Sequence, residues 1–109
     1  MQPKPEVPIA CTLSPQERTA QVERIRQLTS NALRSARREP LALHLTYARE
    51  SAAQVREAVR VESSCCGFLS FDLREDERGG VQLTITSHER AMAAAQVLFE
   101  QFAPRTLGT

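Results

Sequence analysis

Three short segments of the sequence alternate between apolar and polar residues, and this period of two constrains the fold more than any other feature. The segment 41–47, LALHLTY, places Leu43, Leu45 and Tyr47 on one side and His44 on the other. The segments 69–73 (LSFDL) and 81–86 (VQLTIT) alternate in the same way. Such alternation is typical of half-buried β-strands. The charged turn with two glycines between the last two segments predicts a hairpin.

The remaining segments have the period of a helix. Ser14 and Glu17 form a capping-box signal around Pro15, and the apolar residues that follow predict a helix from about Pro15 to Arg37, closed by Pro40. The apolar stripe of this helix is predicted to consist of Val22, Ile25, Leu28, Ala32 and Leu33.

Two further helices are expected. Ser51 and Gln54 predict a second capping box, before a helix that runs to the adjacent cysteines Cys65 and Cys66. Ser87 is expected to cap a final helix. One face of that helix is predicted to carry Met92, Ala95, Phe99 and Phe102.

This order of elements predicts a two-layer α+β fold, in which a small mixed sheet of three to four strands has its helices packed on one face. The strand–helix–strand–strand–helix core is reminiscent of a ferredoxin-like plait, which by itself implies no function. We expect an extended N-terminal lead-in over 1–13 with a short strand at 8–13, a single domain over 14–103 and a frayed tail over 104–109.

Composition limits the class of protein. The chain has 109 residues, of which 41% are hydrophobic and 25% charged, as in one ordinary globular domain. The sequence has no apolar run near the ~20 residues of a membrane span and no secretory signal pattern, so we expect a soluble, cytoplasmic protein. A net charge of +1 argues against nucleic acid as a partner.

The candidate site lies in the segment 61–71, VESSCCGFLSF, where the second predicted helix ends. Val55, Val59, Glu62 and Cys66 are spaced 4, 3 and 4 apart and share a helix face, which Cys65 borders. A carboxylate on such an apolar stripe must be paired, protonated, metal-bound or at the rim. Alternatively, the helix turns toward solvent at Glu62.

The position of the two thiols favours a bound cation over unaided nucleophilic chemistry. At a helix C-terminus the dipole opposes a thiolate and raises the pKa of the thiol, whereas a soft metal ion displaces the thiol protons. Cys11 could supply a third thiolate. Three thiolates suit Hg(II), As(III) or Cu(I), or Zn(II) with Glu62 or water as a fourth ligand.

Two alternatives remain open. The cysteines could serve redox or covalent thiol chemistry, for example through a strained disulfide between Cys65 and Cys66, or they could simply pack as small apolar residues. His44 and His88 are interpreted as surface residues, and so is Asp72.

The segments CTLS and ESSCCGFLSFDL resemble a group of small, mostly uncharacterised bacterial proteins. These share an N-terminal C-T-L and an E-x-x-C-C-x-F-L-x-F junction, a resemblance that spans roughly residues 9–102. The motif positions are Cys11, Glu62, Cys65, Cys66, Phe68 and Phe71. The resemblance implies that Cys11 belongs to the same site as the cysteine pair, and it implies no established activity.

A weaker similarity is to organomercurial lyases, which combine a cysteine pair with a distant cysteine and an acid to cleave carbon–mercury bonds. It implies that Cys11 and one cysteine of the pair hold mercury while Glu62 or Asp72 delivers the proton. The Cys-x-x-Asp of that family reads Cys11-Thr12-Leu13-Ser14 here, so its acidic residue is replaced by serine.

The leading hypothesis is a small protein that binds a soft metal or metalloid ion through Cys11, Cys65 and Cys66, with Glu62 as an additional ligand or support. Its role would be sequestration, delivery or sensing, as in heavy-metal resistance. We expect neither nucleic acid nor a membrane as partner, and a homodimer is compatible with this hypothesis. The alternatives are a thiol-based enzyme that uses the same cysteines and an interaction module with cysteines in its core.

Overall fold

The computed structural model describes residues 14–65, 67–76 and 80–104. Within them, three α-helices and four strands follow one another. In chain order these are α1 (Pro15–Asn31), β1 (Leu33–Glu39), β2 (Ala42–Tyr47), α2 (Ala52–Cys65), β3 (Leu69–Glu75), β4 (Val81–Ser87) and α3 (Met92–Phe102). Single turns of 3₁₀ helix at Arg49–Ser51 and Glu89–Ala91 lead into α2 and α3. The predicted strand at 8–13 lies outside the described residues.

The strands form one sheet in the order β1-β2-β4-β3. Every neighbouring pair is antiparallel, so the sheet is not mixed as predicted, although the two-layer α+β class is confirmed. Strand β4 lies between β2 and β3 in the sheet. Helix α2 connects β2 to β3 along the chain. The part of the chain from β2 to α3 therefore has the expected strand–helix–strand–strand–helix order of a plait, and β1 adds the strand next to β2.

The first helix is shorter than predicted, because the chain leaves it at Asn31 and forms β1. The expected continuation to Arg37 is wrong: Ala36 pairs with Leu45 and Arg38 with Leu43 across the β1–β2 ladder. Pro40 does not end a helix either. Together with Leu41 it forms the two-residue turn between the paired residues Glu39 and Ala42.

The inner face of the sheet packs against the helices and forms the core. Alternate residues of β2 and β4 are buried there, as the period of two predicts. The largest fully buried side chains of the sheet are Tyr47, Leu43, Leu45, Leu83, Ile85 and Val81. Phe99 and Phe102 of α3 are also fully buried, whereas Met92, predicted on the same helix face, is 40% exposed.

The caps were predicted with mixed success. The capping box at α1 is confirmed: the Ser14 amide donates to Glu17 Oε1 at 2.9 Å, and the Glu17 amide donates to Ser14 Oγ at 3.2 Å. The Glu17 carboxylate accepts a hydrogen bond from the Ser14 amide, and this bond lowers the pKa of Glu17. Ser51 instead donates its hydroxyl to the Ala48 carbonyl at 2.7 Å, within the 3₁₀ turn.

The predicted cap of the last helix is also wrong. Ser87 is the last residue of β4, and its hydroxyl donates to the His88 carbonyl at 2.9 Å. The 3₁₀ turn begins after His88, which has no side-chain capping hydrogen bond. Local propensity marks helix starts poorly here, because tertiary pairing extends β4 through the serine.

The other side of the sheet, called the outer face below, carries polar and small residues. Cross-strand partners point to the same side, so the pairing register defines three rows across the sheet. The rows, in the strand order β1, β2, β4, β3, are Glu39–Ala42–Thr86–Ser70, Arg37–His44–Thr84–Asp72 and Ser35–Thr46–Gln82–Arg74.

Candidate functional site

Glu62 is the predicted site residue that the structure describes completely, and it is buried. It lies in the last turn and a half of α2, and only 3% of its surface is exposed. The alternative that α2 turns toward solvent at this point is therefore wrong. Cys65 is the final residue of α2, and its side chain lies outside the description, as do Cys11 and Cys66.

The Glu62 carboxylate is held by Gln21 of α1. Gln21 is itself only 2% exposed, and its side-chain amide donates to Glu62 Oε2 at 2.8 Å and to the Ala58 carbonyl at 3.0 Å. Both amide hydrogens are thus used on one turn of α2. A buried carboxylate is tolerated only when donors of this kind compensate for the lost hydration.

Arg24 determines which way the Gln21 amide points. Arg24 lies one turn after Gln21 on α1, and its guanidinium donates to Gln21 Oε1. Because a guanidinium can only donate, the Gln21 oxygen must face Arg24 and the nitrogen must face Glu62. The three side chains form a directed chain of hydrogen bonds from the half-buried Arg24 to the buried carboxylate.

The contacts between α1 and α2 show that the two helices run antiparallel. Gln21, early in α1, touches Ala58 and Glu62, late in α2. Late in α1, Leu28 and Asn31 line a groove together with residues at the start of α2. The N-terminus of α1 and the C-terminus of α2 therefore lie at the same end of the helix pair, where their dipoles have opposite signs.

The groove lies at the opposite end of this helix pair. It has a volume of about 480 Å³, and its lining residues are Ala20, Glu23, Arg24, Gln27, Leu28, Asn31, Ala32, Ser51 and Gln54. Arg24 connects the two regions, because it lines the groove and also donates to Gln21.

Among residues 14–65, 67–76 and 80–104, no three histidine, cysteine, aspartate or glutamate side chains come together as a group that could hold a metal ion. Glu62 lies three residues before Cys65 on α2, as the sequence register requires. Of the predicted ligands, Glu62 is the one whose side chain the structure describes, and the three-thiolate set stays a prediction.

The other candidates are surface residues, as predicted for His44, His88 and Asp72. His44 lies on the outer face, where its Nε2 is 2.5 Å from Glu39 Oε2. This hydrogen bond is the main reason why the pKa of Glu39 is lowered, and the nearby charge of Arg37 adds to it. Asp72 is exposed and pairs with Arg74 at 3.0 Å.

Tyr47 is a buried polar residue of another kind. It is 1% exposed, and its hydroxyl has no hydrogen-bond partner in the described parts of the chain. Burial raises the pKa of this phenol, because the phenolate would lose its hydration. Tyr47 lies in the core together with Leu43 and Leu45, with which it shares one side of β2.

Sequence reasoning missed Gln21 and Arg24. Ile25, Leu28 and Ala32 of the predicted stripe are buried, but the buried side of α1 begins at Gln21 rather than at Val22 and comprises Gln21, Ile25, Leu28 and Thr29. The spacings of 4, 3 and 1 fit a helix face as well as the predicted set does. The sequence did offer one signal: Gln21, a polar residue, stands first on this otherwise mostly apolar face, and a buried polar side chain needs a polar partner.

Comparison of the sequence with known protein families gave no match. Curated proteins gave no match, and neither did solved structures. Within the described residues, no helix is both long and apolar enough to cross a membrane.

Proposed function

We propose that this protein binds a soft metal or metalloid ion through the thiolates of Cys11, Cys65 and Cys66, with Glu62 as an additional ligand or as a support beside it. The observation that carries the proposal is the buried, hydrogen-bonded carboxylate of Glu62, one helical turn before the adjacent cysteines. Burying a carboxylate costs free energy, and a cation bound next to it would explain why a carboxylate occupies this position.

The antiparallel helix pair supports the inclusion of Cys11. Counted at 1.5 Å per residue from the level of Gln21, Ser14 and Cys65 lie roughly 10 Å and 5–7 Å toward the same end. Cys11 precedes Ser14 by three residues, a span of at most roughly 11 Å. Chain geometry thus allows its thiol to reach the end of α2.

The electrostatics of this end also support thiolates. Alone, the C-terminus of α2 would raise the pKa of thiols beside it. The N-terminus of α1 at the same end offers the opposite partial charge, and a helix N-terminus is a usual place for a stabilised thiolate. The opposed dipoles reduce the penalty, and the cation supplies the remaining driving force for loss of the thiol protons.

The test is a titration of the reduced full-length protein with Hg(II), As(III), Cu(I) and Zn(II). Thiolate-to-metal charge-transfer absorption and the number of reactive thiols are followed together. We expect one ion to protect about three thiols, the number of ligands in a trigonal thiolate site, and Cys→Ser substitution at any of the three positions to weaken binding. Unchanged thiol reactivity, or full binding by the triple Cys→Ser variant, would refute the proposal.

The contribution of Glu62 is tested separately with Glu62→Gln. This change keeps the size of the side chain and removes its charge. We expect a loss of about 10–100-fold in Zn(II) affinity, as for other groups that ligate or orient ligands. Glu57→Gln is the matched control, because Glu57 lies on α2 but pairs with Arg60 at the surface. Equal effects of the two substitutions would exclude a specific role for Glu62.

A thiol-based enzyme is the second candidate, and the same buried carboxylate favours it. A carboxylic acid beside thiolate-bound mercury could transfer its proton to the carbon of an organomercurial, so that the carbon–mercury bond breaks, the hydrocarbon leaves and Hg(II) stays on the thiolates. Incubation with an organomercurial distinguishes the two functions. Hydrocarbon release that Glu62→Gln abolishes would indicate the enzyme, whereas binding without release would indicate a binding protein.

A further inference from the structure

In the described parts of the chain, all three helices pack on the inner side of the sheet, and the outer face has no layer over it. Four of its six positions on the central strands β2 and β4 carry small or short uncharged side chains, and the other two are His44 and Gln82. The four are Ala42, Thr46, Thr84 and Thr86. Two sheets can approach to about 10 Å when the facing side chains are short.

The charges of the outer face stand at its two margins. On β1, Arg37 pairs with Glu39 at 3.0 Å, and on β3, Arg74 pairs with Asp72 at 3.0 Å. These groups are exposed, and each of the two pairs is neutral in sum. The middle row across the sheet runs Arg37–His44–Thr84–Asp72, with a cation at one end and an anion at the other.

This distribution makes the face complementary to a second copy of itself. A twofold axis parallel to the strands, between two facing sheets, places β1 of one copy over β3 of the other. Positions in the same row then meet. Arg37 faces the partner's Asp72, and Asp72 faces the partner's Arg37. His44 faces the partner's Thr84 in the middle of the row.

The charges also select this axis over the alternative. A twofold axis perpendicular to the strands that crosses the middle row would place β1 over β1 and β3 over β3. Arg37 would then face its own counterpart, as would Asp72, and like charges at such short range oppose association.

We propose that the outer face is the interface of a homodimer whose twofold axis runs parallel to the strands. Four strands spaced about 4.8 Å apart and six or seven residues long give a footprint of roughly 400 Å² per subunit. This is below the usual ~800 Å² per partner. The dimer is therefore weak and concentration-dependent, with a Kd in the micromolar range, and it is independent of the proposed ion site at the end of α2.

Sedimentation equilibrium of the full-length protein tests the proposal, with a reductant and a chelator present so that thiols and metal ions cannot link subunits. We expect a reversible dimer at hundreds of micromolar. Arg37→Asp and Asp72→Arg should each weaken dimerisation at least tenfold, because each homodimer then contains two like-charge contacts. An equimolar mixture of the two variants should associate again, because the heterodimer contains two opposite-charge contacts.

Two further variants keep the test specific. Thr84→Arg puts a bulky cation in the centre of the face and should abolish dimerisation. Arg56→Asp is the control, since Arg56 is also exposed and paired, with Glu75 at 2.8 Å, but lies on the helix side of the sheet. A wild-type monomer at all concentrations, a dimer that survives Thr84→Arg, or a mixture that does not associate would each overturn the proposal.

Discussion

Two polar clusters of this protein have the same components in different surroundings. In the Arg24–Gln21–Glu62 cluster, between α1 and α2, the carboxylate is 3% exposed. In the Arg37–Glu39–His44 cluster, on the outer face, the carboxylate side chain is 46% exposed, although it too accepts short hydrogen bonds. Each cluster joins an arginine, a second donor and a glutamate.

Burial, rather than the number of hydrogen bonds, decides how much such a cluster contributes to stability. At the outer face, water replaces any lost partner, so each contact changes stability little. Between the helices, a lost partner leaves a polar group without hydration, and the full desolvation cost remains. The buried cluster should therefore be rigid and sensitive to substitution, and the exposed one tolerant.

The largest effect is expected from Gln21→Leu. The buried Glu62 carboxylate then loses the donor that Gln21 supplies, and we expect the free energy of unfolding to fall by about 2 kcal/mol. Urea denaturation followed by circular dichroism measures it. Adding Glu62→Leu should recover part of the loss, because replacing both partners of a buried polar contact by apolar groups is far less costly.

Gln27→Leu is the control for this prediction, because Gln27 lies on the exposed side of α1 and bonds only weakly to Glu23, at 3.4 Å. It should change the unfolding free energy by less than about 0.5 kcal/mol. If Gln21→Leu had an equally small effect, the buried cluster would be no more sensitive than the surface.

Tyr47→Phe removes a buried polar group instead of its partner, so it should raise the free energy of unfolding, by less than Gln21→Leu lowers it. The Tyr47 hydroxyl is buried without a partner among the described residues. Its removal should raise the free energy of unfolding by about 1 kcal/mol, because the unfolded chain hydrates the hydroxyl and the folded chain does not. A rise in the thermal midpoint confirms it, whereas a clear fall would indicate that the hydroxyl has a stabilising contact.

Glu39→Gln should have the smallest effect, and the effect should depend on pH. The pKa of Glu39 is lowered in the folded state from 4.5, mainly by the hydrogen bond with His44. Its charge therefore stabilises the fold above pH 4.5, and this contribution is lost as the pH falls through the lowered folded-state pKa.

Thermal melts from pH 7 to pH 3 measure this difference. The wild type should be slightly more stable than Glu39→Gln near pH 7, and the two should converge in acid. A difference that grew as the pH fell would contradict the assignment of the lowered pKa to the folded state.

Much of the fold could be predicted from the sequence, and the failures have one cause. Alternation identified β2, β3 and β4, because in those strands one face is buried and the other is not. Strand β1 was missed, since arginine and glutamate dominate Leu33–Glu39 and its residues are mostly exposed. An edge strand of this kind is specified by pairing with β2, which no local pattern encodes.

For the candidate site, too, some features could be predicted from the local sequence and others could not. The helical register placed Glu62 on the face of α2 that includes the cysteine positions, and it predicted that such a carboxylate needs compensation. It could not say whether α2 buries that carboxylate, nor that Gln21 and Arg24 compensate for it, because those residues lie 41 and 38 positions away along the chain.

By itself, then, the sequence determined the α+β class, the three alternating strands and the position of Glu62 just before the paired cysteines. These depend on residue periodicities that act over a few neighbouring positions. Only the tertiary structure decided that β1 pairs with β2, that α1 and α2 run antiparallel and that Gln21 meets Glu62. Those outcomes depend on contacts between segments far apart in the chain, whose free energy exists only once the core is assembled.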